Sequence, residues 1–158
     1  MQESAQVDLD HLDRAILREL QSDGRITNAQ LARRVGFSES ACLRRVRRLE
    51  EAGVIDRYVA ILRPEAVGKA GTVFVRVSLH GQQRDALERF ERAIREVPEV
   101  MECYLMSGDV DYLVRVAVGG LADYERVHDR LTRLPGVARV LSSFALRTVL
   151  KRTALPLG

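Results

Sequence analysis

No apolar run in this 158-residue chain approaches the roughly 18 residues that a membrane-crossing helix needs, so no membrane partner is expected. Cysteine is equally scarce. Cys42 and Cys103 stand far apart, without a Cys-x-x-Cys pair, and read as two buried free thiols in a reducing cytoplasm. His11, His80 and His128 are isolated, so no cluster has zinc-ligand spacing, and neither a metal nor a cofactor is expected. No serine or cysteine is apparent as a nucleophile paired with histidine, and no Walker-type glycine loop is present. Residues 1–8 (MQESAQVD) are polar throughout and are expected not to act as a signal peptide.

What is present suffices for one mid-sized domain or two small ones. The net charge of +3 says little, but its distribution says more. Residues 3–23 carry Glu3, Asp8, Asp10, Asp13, Glu19 and Asp23 against Arg14 and Arg18. Residues 25–48 then carry Arg25, Arg33, Arg34, Arg44, Arg45, Arg47 and Arg48 against the single acid Glu39. Such a local field attracts a polyanion even where the whole chain is near neutral. All these bases are arginines, whose planar fork pairs with phosphate or guanine through two bonds at once. A solvated helix face would look the same on charge alone.

Periodicity places the arginines. Asp10 caps a helix with Leu12, Ile16, Leu17 and Leu20 at helical spacing, ended by Ser22-Asp23-Gly24. Thr27 and Gln30 form a capping box for a second helix, whose apolar side is Leu31, Ala32 and Val35. Gly36-Phe37-Ser38 is a tight turn, and a third helix runs from about Ser38 to Gly53. This is the helix-turn-helix pattern. On a wheel of about 100° per residue, Cys42, Leu43, Val46 and Leu49 fall on one side of the third helix. Ser40, Ala41, Arg44, Arg47 and Arg48 fall on the other, with Arg45 at the flank for a phosphate or a salt bridge. Small residues permit close approach to a groove, and the arginines can reach bases and phosphates.

Beyond Val54 the pattern changes. Strands are expected at Asp56–Leu62, Thr72–Leu79, Val100–Met106 and Asp111–Val118, with one or two more in Val137–Leu150. Helices are expected at Arg84–Val97 and Leu121–Leu134, stopped by Pro98 and by Pro135-Gly136. The fold class is therefore α+β: a helix-turn-helix domain of winged-helix-like form over residues 1–55, a strand and linker over 56–70, and a ferredoxin-like βαββαβ domain over 71–158. Two helices on one sheet face leave the other needing cover, so an oligomer is expected.

The segment LDHLDRAILRELQSDGRITNAQLARRVGFSESACLRRVRRLEEAGVI closely resembles the DNA-binding half of the leucine-responsive/asparagine-synthetase regulator (Lrp/AsnC) family. The matching residues are Leu9-Asp10 and Asp13, Asp23-Gly24-Arg25, Cys42 to Glu50 and Gly53-Val54-Ile55. Glu102-Cys103, Ser107 to Tyr112 and Leu134-Pro135-Gly136-Val137 resemble that family's regulatory domain. Ser38-Glu39-Ser40-Ala41 departs from the Ser-Pro-x-x of many members, which bears on base preference. The resemblance implies a cytoplasmic transcription regulator. It implies dimers through the ferredoxin-like domain, octamers or larger forms, and an amino-acid effector held between dimers. DNA contacts are expected from Arg25, Arg33, Ser38, Ser40, Arg44, Arg47 and Arg48.

The effector region is expected around Leu105, Met106, Ser107, Gly108, Asp109, Asp111 and Tyr112, with Leu134, Phe144 and Ala145 bordering it. Exposed backbone N–H groups at Gly108 suit a carboxylate, and Asp109 or Asp111 suits an ammonium. A plain hairpin turn would use the same residues, and Leu105, Leu134, Phe144 and Ala145 would serve equally as core. Two rivals of other classes remain at this level. One is an enzyme using Asp109 and Asp111 as acid and base; the other is an architectural protein that coats DNA without an effector.

Overall fold

The structure, a computed structural model, describes residues 7–157. Residues 1–6, with Glu3 and most of the polar N-terminal stretch, lie outside the described residues. The chain forms two compact units: residues 7–61 together with 150–157, and residues 62–149.

The first unit is three helices, α1 (His11–Ser22), α2 (Asn28–Val35) and α3 (Glu39–Glu51). Their starts follow from the caps read in the sequence. Asp10 accepts the Leu12 and Asp13 N–H groups at 2.9 and 2.8 Å, and Asp13 reaches back to the Asp10 N–H at 3.2 Å. Thr27 and Gln30 form the second reciprocal box, and the Ser38 hydroxyl accepts the Ala41 N–H at 3.3 Å. Gly36 ends α2 in the left-handed region (φ 73°), where a side chain would be strained. Ile16, Leu17, Leu31, Ala32, Cys42 and Leu49 form the core of the unit.

The last residues of the chain complete this unit. Gln21 pairs its side-chain amide with the Leu155 backbone, donating to the carbonyl at 3.2 Å and accepting the N–H at 2.6 Å. Leu157 packs against the three-helix core. By contacts, residues 150–157 therefore group with the three helices and not with the sheet.

The second unit starts with a short 3-10 turn at Pro64–Val67. It continues β1 (Gly71–Leu79), α4 (Arg84–Ile94), β2 (Val100–Leu105), β3 (Tyr112–Val118), α5 (Leu121–Thr132) and β4 (Val137–Phe144). The strands form one antiparallel sheet in the order β2-β3-β1-β4, the ferredoxin-like arrangement. Strand alternation divides its faces. Val73, Val75 and Val77 of β1 and Val114, Val116 and Val118 of β3 are buried with Phe90, Ile94, Tyr124, Val127 and Leu131 of the two helices. Phe74 and Arg76, opposite Arg115 and Leu113 of β3, point to the other face, which no helix of this unit covers.

The strand expected over Asp56–Leu62 does not form. A strand exists only where another strand takes its N–H and C=O groups, and this segment finds none among the described residues. Its Tyr58, Val59, Ile61 and Leu62 stay exposed. Of the one or two strands expected in Val137–Leu150, one forms, and it ends at Phe144.

One carboxylate ties the second unit together. Asp123 accepts the Gly119 N–H at 2.8 Å, Lys69 Nζ at 2.9 Å and Arg126 at 2.5 Å. The backbone donor first, then Lys69, hold its carboxyl down at about 2. The stability this contributes is complete above the ordinary value of 3.8 and is lost as pH falls through about 2. Melting temperature measured against pH should therefore fall across this window, and Asp123→Asn should flatten the fall. A wild-type slope in that variant would show that Asp123 does not carry it.

Candidate functional site

The candidate reader face is built by α3. Its buried line, Cys42 and Leu49, packs on α1 and α2, and the opposite line carries Ser40, Arg44 and Arg47. An open groove of about 590 Å³ follows this face, lined by Ser40, Arg44, Arg45, Arg47 and Arg48 with Asp10 and Glu51. Leu43, expected on the packed side, is exposed and lines the groove as well.

The arginines of the unit separate into two sets. Arg34 pairs with Glu19 at 2.8 Å. Arg45 pairs with Asp10 at 2.7 Å and with Asp13 at 2.9 Å, and its guanidinium lies 5.9 Å from the Phe37 ring centre. Arg48 pairs with Asp13 through Nη2. Asp13 is fully buried, and its oxygens are answered by a backbone N–H and both guanidiniums. Arg44 and Arg47, in contrast, have no carboxylate partner among the described residues. Arg25 is in the α1–α2 loop, and Arg33 is exposed on α2 with its Nε donating to the Ala29 carbonyl at 3.3 Å. Ser38 is spent on the helix cap, its hydroxyl 3.4 Å from that of Ser40.

The wheel found the free arginines, but it set Arg48 among them and missed its carboxylate. A signal was available: Asp10 and Asp13 are one helical turn apart, and so are Arg45 and Arg48. Two such pairs on packed helices match in spacing.

The turn after β2 is less uniform than the sequence suggests. Leu105, Met106, Ser107, Gly108 and Asp109 are exposed, with Gly108 at φ 132°, and Asp109 has no partner among the described residues. Asp111 is different. It is buried, and both carboxylate oxygens are occupied, one by the Leu79 N–H and one by the Gln82 amide, each at 2.7 Å. The carboxylate expected as an ammonium partner thus fastens the end of β1 to the start of β3. Tyr112 is buried against Phe90, and its hydroxyl donates to Glu91 at 2.8 Å. Burial, then Glu91, pushes that phenol well above its usual range.

Leu134 packs against the sheet core, before Val137, which pairs with Leu79 at the same end of β1 as the turn. Phe144 pairs with Val73, and the Ala145 N–H donates to the Thr72 carbonyl at 2.9 Å. They therefore sit at the opposite end of β1, roughly 20 Å away at about 3.3 Å per residue. One copy of the chain does not bring Phe144 and Ala145 to the turn.

Of the two thiols, Cys42 is buried as expected, whereas Cys103 is half-buried; burial, then Glu91, pushes the Cys103 thiol up to about 11. Neither is poised as a nucleophile. No helix among the described residues is long and apolar enough to cross a membrane.

Known proteins share this sequence and geometry. Residues 9–56 match a winged helix-turn-helix DNA-binding family, and residues 72–155 match the Lrp/AsnC ligand binding domain. The chain belongs to the Lrp/AsnC family. It is 48% identical to the Bkd operon transcriptional regulator of Pseudomonas aeruginosa, over 95% of this chain and 99% of that one. An AsnC family transcriptional regulator from Agrobacterium tumefaciens superposes with a TM-score of 0.90 at 43% identity, covering 94% of this chain and 97% of that one. A Neisseria meningitidis transcriptional regulator, solved as its L-Met complex, does so at 0.89 and 39%, with the same coverage. The chain is thus a transcription regulator, and the enzyme reading of Asp109 and Asp111 is set aside.

Because Asp111 satisfies a buried N–H, Asp111→Ala should cost about 1–3 kcal/mol of stability whether or not any ligand is present. Denaturant titration of the full chain measures it. An unaltered midpoint would return Asp111 to the groups free to bind.

Proposed function

We propose that this regulator reads double-stranded DNA with α3, directing Ser40, Arg44 and Arg47 at the duplex, with Arg48 beside them and Arg25, Arg33 and Ser38 as flanking contacts. The observation that carries this reading is that Arg44 and Arg47 lack a carboxylate partner among the described residues, where Arg34, Arg45 and Arg48 are held by carboxylates. Unneutralised guanidiniums on a helix face are what phosphates and guanine edges require.

A small amino acid or a close relative is the effector, bound at the exposed 105–109 turn and altering assembly or DNA affinity. The ligand-binding family match supports this, as does the methionine complex of the Neisseria relative. Backbone donors at Gly108 suit the carboxylate. Asp109, not the occupied Asp111, suits the ammonium, and exposed Leu105 and Met106 suit an apolar side chain. Phe144 and Ala145 join the site only if a second copy supplies them. The protein acts as at least a dimer in the cytoplasm, and as an octamer or higher homo-oligomer when fully assembled. The uncovered sheet face, with Phe74, Leu113 and Leu141, supports association.

Two measurements test these readings. Arg44→Ala combined with Arg47→Ala should lower affinity for duplex DNA at least about tenfold. It should flatten the dependence of log K on log salt by about 0.9 for each lost phosphate contact. Wild-type affinity on every fragment would sink the reader assignment, and uniform footprints instead of discrete half-sites would favour an architectural role. For the effector, calorimetry with L-methionine and the other amino acids, paired with light scattering, should show binding that changes oligomer size. Asp109→Ala should weaken both together, because a ligand that bridges copies links binding to assembly. Equal affinity in that variant would move the ammonium site elsewhere.

A further inference from the structure

We propose that Asp13, supported by Asp10, is a positioning residue of the DNA reader that withdraws Arg45 from the duplex and presents Arg48 to it at a fixed angle. The inference rests on α3 being the DNA-contacting helix.

The geometry separates the two arginines. Arg45 has a side chain only 24% exposed; its Nη1 bridges Asp10 and Asp13, and its guanidinium lies near Phe37. A group so held presents little donor edge to a phosphate, and Asp10 beside it, lining the same groove, repels one. Arg48 commits only Nη2, and its side chain is 53% exposed. Its remaining N–H groups are left to the groove while the buried carboxylate fixes the plane of the guanidinium. A donor locked in one orientation loses less freedom on contact and discriminates better between acceptors.

The carboxylates also set the charge that DNA meets. Asp13 cancels one of two arginine charges and Asp10 the other, so on α3 the sequence-independent attraction falls to Arg44 and Arg47. Removing either acid should therefore raise attraction to any duplex while loosening selectivity. A merely structural role for Asp13 would change stability and would leave the salt slope alone.

The test compares full-length variants on two duplexes of equal length, one selected from random sequence by the wild-type protein and one random. Arg45→Ala is expected to keep the wild-type salt slope on both. Asp13→Asn, if natively folded by circular dichroism, is expected to steepen the slope by about 0.9, one extra phosphate. It should also lower the selected-over-random affinity ratio about tenfold, the scale of one oriented base contact. Should Asp13→Asn not fold, Asp10→Asn replaces it, because asparagine caps a helix as well as aspartate. There the random duplex should bind more tightly with a steeper slope. The proposal is overturned if Arg45→Ala flattens the slope by about 0.9, or if the folded aspartate variant keeps the wild-type slope and ratio. Failure of the reader assignment itself would look different, as undiminished binding by the Arg44, Arg47 double variant.

Discussion

The second unit depends on β1 being a central strand. It is paired on one side to β3 and on the other to β4, and its buried valines alternate with Phe74 and Arg76. Period-two alternation assigns every second residue of the strand to the same face. Once α4 and α5 take the valine face, the Phe74 face is left to whatever else is available. Within one copy no helix of the unit takes it, and Arg115 and Glu102 pair at 2.6 Å on neighbouring strands. A sheet covered on one side only is an incomplete layer structure. The strand pattern itself thus leaves the face that the proposed association would cover.

The reader unit depends on a different constraint, the burial of Asp13. A buried carboxylate is tolerated only if its oxygens are fully satisfied. Here the satisfaction comes from the helix proposed to face DNA. This couples the fold to the site, since the residues that make α3 pack correctly include two of its arginines. A helix that spent all its arginines this way would hold together and bind nothing. One that spent none would bind any duplex. The observed division leaves Arg44 and Arg47 without a carboxylate among the described residues and Arg48 only partly committed, which is what the proposed reading requires.

Much of this was legible in the sequence wherever local chemistry decides. The helix caps, the Gly36 turn, the three helices of the reader and the βαββαβ order came from spacing and turn residues, and the structure has them. What escaped was decided by partners distant in sequence. Asp56–Leu62 has strand composition, but composition supplies no neighbour to bond with. Leu155 and Leu157 come soon after β4, yet their partners are Gln21 and the three-helix core. Leu43 satisfies the apolar side of a wheel, although the core around Cys42 and Leu49 is narrower than that side.

Asp109 and Asp111 show the same limit at the scale of one turn. They are two residues apart, chemically identical, and indistinguishable by any motif argument. Burial separates them, because the Leu79 N–H at the end of β1 needed an acceptor, which Asp111 supplies with one oxygen while Gln82 takes the other. A charge already answered inside the protein cannot also answer a ligand without exposing what it held. The exposed edge of the turn, Leu105 to Asp109, therefore keeps the unspent binding groups of that segment. Phe144 and Ala145, fixed at the far end of β1 by pairing with Val73 and Thr72, can meet that edge only across two copies. The sheet register thereby makes any site that includes all of these residues a property of the assembly, and it gives an effector bound there a direct hold on how copies associate.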